Sequence, residues 1–310
     1  MIVLLGFSLG IVLGSFVKAL ADRSLSNKSF WGRSYCLNCK KKLQWYDLFP
    51  ILSYLTLQGR CRYCGKKIGL EYLVVEISMG ILVGFLFWQN LINFQFLISA
   101  SEGGVNYFHS IINYQLSIFI IDLLIKIFFI SVLVALVLTD LKKMLIPDRI
   151  ILPAITLGFI MAGLLAAYKI GYLYYHLLNH PVGKYLLFPH SDYFGQHALE
   201  LLHPFLTGVF SALLIGGFFY LLIIITKGKG MGGGDVKLGA FIGLMLGFPN
   251  SLVALILAFF SGAIVSILLL ASGRKKIGQV IPFGPFLVIG ALIALFWGDK
   301  IFNWYIKLGS

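Results

Sequence analysis

Apolar segments near membrane-spanning length recur at residues 2–20, 70–92, 116–139, 146–168, 204–226, 236–248, 250–271 and 281–298. This pattern leaves little choice of fold. A hydrocarbon core about 30 Å thick offers no water to satisfy an open backbone, so a run of about 20 apolar residues crosses it as a helix whose own carbonyls accept its amides. The expected fold is therefore an all-α polytopic membrane protein with about eight transmembrane helices. A composition of 59% hydrophobic and 12% charged residues argues the same way and against a soluble enzyme. The segment at 236–248 is short for a crossing and is expected to be tilted or only partly inserted. Ala19-Leu20-Ala21 resembles a signal-peptidase site, but apolar residues begin at Ile2 with no basic stretch ahead of them, so the first segment reads as a retained helix.

The net charge of +13 is distributed by loop. Eleven of the 25 basic residues fall between Lys18 and Lys67, three between Asp140 and Arg149, three between Lys227 and Lys237, and three at Arg274, Lys275 and Lys276. The other loops and the C-terminal tail carry only Lys169, Lys184, Lys300 and Lys307, and Lys126 lies within a helix. Positive charge collects on the cytoplasmic side of membrane proteins, which puts both termini outside and the basic loops inside. The charge thus reads as a topology signal and an attraction to anionic lipid, and nucleic acid is not an expected partner.

Between the helices, residues 21–69 have the look of a small cytoplasmic domain, residues 93–115 and 169–203 are expected as long external loops, and 227–235 as a Gly-rich turn. Glu102-Gly103-Gly104 marks the first external loop. The second holds His176, His180, His190, His197 and His203, read as solvated or interfacial side chains, because only His176 and His180 have ligand-like spacing. Gly6, Gly10 and Gly14 recur every four residues in the first helix, as close helix packing through small residues requires.

All four cysteines lie in two C-x-x-C pairs, Cys36 with Cys39 and Cys61 with Cys64. Paired knuckles of this spacing bring four thiolates around one tetrahedral zinc ion without a large core. Two disulfides or free thiols are the alternative, which fits a cytoplasmic segment poorly because that compartment is reducing. Four protein ligands leave no open coordination position, so the expected zinc is structural.

Two carboxylates sit where apolar segments meet polar chain: Asp140 after Leu138-Thr139, and Asp235 in Gly232-Gly233-Gly234-Asp235-Val236-Lys237. A carboxylate beside hydrocarbon is costly unless it is paired or protonated, which marks both as functional candidates. Two acids held close cannot both ionise, and one then serves as base and the other as acid, the arrangement that activates water against a peptide bond. Asp140 is expected at a helix C-terminus, where the dipole disfavours its charged form. Asp148, after Pro147, reads as a helix-end partner rather than a dyad member. The glycines are expected to supply unusual backbone conformations and room for a substrate strand beside Asp235, whose competing reading is an ordinary N-cap.

Taken together these motifs resemble the bacterial type IV prepilin peptidases, a family of intramembrane aspartyl leader peptidases and N-methyltransferases. The resemblance is carried by Gly14-Ser15-Phe16, the cysteine knuckles with Gly59-Arg60-Cys61, the Glu71 to Glu76 stretch, Thr139-Asp140, Ile146-Pro147-Asp148, Gly234-Asp235-Val236-Lys237 and Ile281-Pro282-Phe283-Gly284-Pro285-Phe286. It implies catalytic Asp140 and Asp235, supported by Gly232, Gly233, Gly234, Lys237 and Asp148. It also implies cleavage of a basic leader after a glycine in prepilin or pseudopilin precursors, then methylation of the new N-terminus with S-adenosylmethionine. Methyl transfer is associated with residues 1–92, including Glu76, Gly14, Ser15 and Arg23, and peptidase chemistry with 116–310. The implied location is the bacterial inner membrane, with the active site facing the cytoplasm. Lys18 stands where the family usually has asparagine and Leu73 where it has proline. The competing readings are an intramembrane aspartyl protease without methyltransferase activity and a proton-relaying transporter or assembly scaffold.

Overall fold

The computed structural model describes residues 2–30, 32–36, 38–100, 108–180, 182–187, 189, 191–228, 231–273 and 281–309. The Glu102-Gly103-Gly104 turn, His190 and the Arg274 to Lys276 cluster fall outside them. The chain divides into two compact units, Met1–Pro147 and Asp148–Ser310. The first contains α1 (Ile2–Leu25), α2 (Leu52–Thr56), α3 (Glu71–Ala100) and α4 (Phe108–Lys143). The second contains α5 (Asp148–Asn179), α6 (Tyr193–Ile225), α7 (Gly233–Leu246), α8 (Asn250–Ala271) and α9 (Gly284–Gly309).

Seven of these helices are long and apolar enough to cross a membrane. The remaining apolar segment of the expected eight is α7, whose 14 residues reach only about 21 Å at 1.5 Å per residue. A full crossing at that point would need part of the Gly-rich chain before it as well, which is tolerated only where protein or water surrounds the unwound backbone.

The long loops expected at 93–115 and 169–203 are largely helical. α3 runs on to Ala100 and α4 starts at Phe108, while α5 continues to Asn179 and α6 begins at Tyr193, with a 3-10 turn at Gly183–Leu186 between them. Polarity and charge report where a chain leaves hydrocarbon, whereas a helix, once nucleated, gains a hydrogen bond with each added residue and can continue into water. His176 and His180 are stacked with ring centroids 6.2 Å apart, and His197 and His203 lie on α6.

Close helix approach through small residues holds each unit together. A Cβ on Gly14 of α1 would lie 2.9 Å from the Glu76 Cα of α3, and Gly6 and Gly10 press on α3 in the same way, as their spacing predicts. In the second unit, a Cβ on Gly243 of α7 would come within 2.6 Å of the Ser211 carbonyl oxygen of α6, and one on Gly208 within 2.6 Å of the Leu244 carbonyl oxygen. Backbone contact with α6 is therefore what orients the short α7. At the far end of the first unit, Lys126 pairs with Asp122 at 2.7 Å and reaches the Asn90 amide oxygen of α3 at 3.5 Å. Asn90 lies 19 residues beyond Glu71, about 28 Å along the helix, so the polar layer stands one hydrocarbon thickness from the start of α3.

Candidate functional site

The four sulfurs of Cys36, Cys39, Cys61 and Cys64 lie within 4.8 Å of one another, and those of Cys36 and Cys64 are 3.8 Å apart. Tetrahedral zinc with 2.3 Å bonds to sulfur sets an edge of about 3.8 Å, so the donor set fits the ion. The two knuckles share one backbone design. The Cys36 amide donates to Lys41 O and the Lys40 amide to Cys36 O; the Cys61 amide donates to Lys66 O and the Gly65 amide to Cys61 O. Residues after the second cysteine take left-handed conformations, φ 55° at Lys40 and 67° at Gly65, which turns the chain back around the sulfurs.

The backbone N–H of Lys66, with help from the Asn38 side chain, draws the Cys64 thiol down to about 6. The Cys36 thiol is likewise lowered, first by the backbone N–H of Cys39. At Cys39 the Lys41 amide acts in the same sense, but desolvation and the Cys36 and Cys64 sulfurs outweigh it and push the thiol up to about 11. Neighbouring thiolates resist a further negative charge, and a bound cation removes that resistance. Asp47 braces the linker between the knuckles: its carboxylate accepts from Arg62 at 2.7 Å, Gln44 N at 3.2 Å and Tyr63 at 3.2 Å. Burial disfavours its charge, but these donors, Arg62 foremost, hold the carboxyl below the usual range.

Of the residues associated by resemblance with methyl transfer, three meet at the α1–α3 seam. Glu76 is 6% exposed, its Oε2 accepts the Ile51 amide at 2.8 Å, and the Ser15 hydroxyl also bonds to it; Gly14 makes room for the Glu76 backbone. Ile51, a β-branched residue at φ 60°, sits in a strained conformation that Glu76 holds in place. Glu76 thus anchors the start of α2 against α3. Arg23 lies apart from them, donating to the carbonyls of Phe30 and Gly32 and tying down the chain that leaves α1.

Asp140 occupies the last turn of α4 and is 6% exposed, beside a fully buried Thr139. The helix ends at Met144, whose left-handed φ of 49° returns its amide to Asp140 O at 2.7 Å. An ion network that joins three helices secures this end. Lys18 of α1, 1% exposed, contacts Asp22 at 2.7 Å and Glu71 at 3.2 Å, while Lys142 contacts the same two acids at 3.0 and 2.7 Å. Tyr72 donates to Asp22 at 3.1 Å, Lys18 lies 4.5 Å over the Tyr72 ring, and Lys143 reaches Leu25 O at 3.0 Å. Two cations and two anions balance, and all four groups gain partners. Only the i, i+4 pair Lys18–Asp22 is visible in the sequence, because Glu71 and Lys142 arrive on other helices.

Lys18→Ala leaves two acids facing one cation, and we expect it to destabilise the protein by roughly 1–3 kcal/mol, less than breaking a fully buried ion pair, because Asp22 and Glu71 are partly exposed and keep Lys142. The loss is readable as a lowered midpoint of heat-induced aggregation in detergent. Lys18→Asn, which retains a hydrogen-bond donor, should cost less.

Asp235 lies in the second unit, in the first turn of α7, with its amide bonded to Gly232 O at 3.1 Å. The N-cap position belongs to Gly232, so Asp235 is not the N-cap itself. Gly232 has φ −89° and ψ 152°, and Gly233 begins the helix, so these positions do not require glycine's special conformations, contrary to expectation. What they leave is bare backbone: a Cβ at either would meet nothing within 4 Å. Asp148, the first residue of α5, accepts a 2.5 Å bond from Lys237 of α7, bringing together two of the expected supporting residues. Both side chains are substantially exposed, so this pair orients helix ends more than it stabilises them.

Residues 8–90 match the bacterial peptidase A24 N-terminal domain, and residues 127–267 match the type IV leader peptidase family. A prepilin leader peptidase/N-methyltransferase of Legionella pneumophila is 30% identical over 277 residues, covering 89% of this chain and 76% of that protein. A protein of the same description from Pseudomonas aeruginosa is 27% identical over 277 residues, with the same shares covered. Another from Bacillus subtilis is 28% identical over 305 residues, 97% of each chain. No solved structure matches this chain.

Proposed function

Because the chain belongs to the type IV leader peptidase family, we propose that it cleaves the leader from prepilin or pseudopilin precursors with Asp140 and Asp235 and then methylates the new N-terminus. It is a membrane enzyme of prepilin processing. The observation that carries the catalytic assignment is the position of both acids in the terminal turns of their helices: Asp140 in the last turn of α4 and Asp235 in the first turn of α7. The loop charges support placing these two helix ends at the same, cytoplasmic membrane face.

In this reading the acids share one proton. The ionised member removes a proton from water as the water attacks the scissile carbonyl, and the protonated member supplies one to the reacting peptide, ending with a free amine on the product. Bare backbone at Gly232 and Gly233 leaves space for a substrate strand beside Asp235. A basic leader held on the cytoplasmic side, followed by an apolar helix in the bilayer, would present the scissile bond at this depth.

Cys36, Cys39, Cys61 and Cys64 would hold a structural zinc ion. S-adenosylmethionine supplies the methyl group in the transfer this family performs. We assign methyl transfer to residues 1–92 and peptidase chemistry to residues 116–310. Glu76 is engaged with Ile51 and Ser15, which supports a role in keeping that first part in shape. The test is intact-mass analysis after purified enzyme meets a prepilin precursor with and without S-adenosylmethionine. Loss of the leader followed by a gain of one methyl group is expected, and an uncut precursor refutes the peptidase reading.

A further inference from the structure

The zinc segment presents an apolar face that its own fold leaves bare. Trp45 is 72% exposed, Phe49 49%, and Leu52 and Leu55 61% each. These residues form one patch along the 3-10 turn Trp45–Leu48 and the short α2: the Trp45 and Phe49 rings are 6.0 Å apart, and Phe49, Leu52 and Leu55 follow at intervals of three. The opposite side of α2 faces protein. Tyr54 donates to Ile68 O, and Gly59 packs against its ring. A face this apolar on a segment of high charge calls for a cover.

Three observations identify it. The Ile51 amide, at the head of α2, is bonded to Glu76, five residues into the candidate span of α3 and thus about 7.5 Å along the helix from its start. That matches the depth of about 5–10 Å at which interfacial amphipathic segments lie in a leaflet. Between residues 26 and 70 the segment carries nine basic residues, Lys28, Arg33, Lys40, Lys41, Lys42, Arg60, Arg62, Lys66 and Lys67, against the single acid Asp47. The exposed aromatic residues of the patch and its edge, Trp45, Tyr46 and Phe49, include the two types that concentrate at membrane–water boundaries.

We propose that Trp45, Phe49, Leu52 and Leu55 insert into the adjoining anionic lipid leaflet, so that the zinc segment lies on the bilayer as a monotopic platform between α1 and α3, with its lysines among the phosphates. This draws on the membrane reading alone, and its readout needs neither cleavage nor methylation.

The experiment uses the full chain with Trp31, Trp88, Trp297 and Trp304 replaced by Phe, leaving Trp45 as the only indole, in nanodiscs of phosphatidylglycerol and phosphatidylethanolamine. Lipids brominated near the headgroup should quench most Trp45 emission, while acrylamide in the water should quench little. If the fourfold variant does not fold, the emission lost on Trp45→Phe in the otherwise unchanged chain gives the same comparison. In phosphatidylcholine discs bromolipid quenching should fall. Strong acrylamide quenching overturns the proposal, because the patch then faces water. Protection from both quenchers also overturns it, because protein then covers the patch. Undiminished quenching in phosphatidylcholine removes the assigned role of anionic headgroups.

Discussion

Asp140→Asn and Asp235→Asn should each slow leader cleavage by at least about 10³-fold, within the range that a positioned acid or base contributes. Asparagine preserves shape but can neither take a proton from water nor share one, so either substitution removes half of the proposed dyad. Each variant should still insert and purify as a folded protein, since Asp140 sits in a helix end held by Lys142 and Lys143, and α7 is held by glycine contacts to α6. Asp148→Asn is the informative comparison: it weakens an exposed pair with Lys237 and should leave most activity. Rates are measured by following leader loss on purified precursor. A folded Asp235→Asn enzyme with wild-type cleavage would falsify the aspartyl assignment, whereas equal loss in all three variants would point to helix positioning instead.

Replacing Cys36 or Cys61 with Ser should eliminate one tightly bound zinc per chain. Structural zinc contributes about 10–16 kcal/mol in small zinc-dependent folds, far more than the packing this segment could supply alone. Its described regular structure is two isolated bridges, one 3-10 turn and one short helix, and without the metal the knuckles keep a few exposed contacts, among them the Asp47 network, the Lys66–Asn38 hydrogen bond and Lys41 over the Tyr63 ring. The expected consequence is proteolysis between about residues 26 and 70, seen by mass spectrometry, together with zinc lost by elemental analysis. Methylation should fall further than cleavage, because the segment belongs to the proposed methyl-transfer part and the two aspartates lie outside it. A zinc-free wild-type preparation that is protease-resistant and methylates its product would exclude a structural metal.

Much of this protein is legible in its residues one segment at a time. Spanning helices follow from apolar runs, because hydrocarbon admits no unsatisfied backbone. The four-cysteine cluster follows from cysteine spacing, because each C-x-x-C knuckle closes locally, and the four sulfurs meet as expected. The Gly6, Gly10 and Gly14 stripe foretold a close helix contact, and α3 fills it. Helix ends are less legible: α3 and α5 continue into the segments expected as loops, because polarity marks the exit from lipid while hydrogen bonding decides where a helix stops.

The tertiary structure alone decided what depends on meetings between distant segments. Nothing local in Lys142 shows that it shares Asp22 and Glu71 with Lys18, and nothing local in Glu76 shows that it holds the strained amide of Ile51. Nor does Trp45 announce whether its ring is packed or bare. Periodicity and spacing are properties of a single segment, so the sequence by itself determined helices, knuckles and candidate acids. Pairing and exposure are properties of how segments pack, and they are decided only when the chain has brought α1, α3 and α4 together.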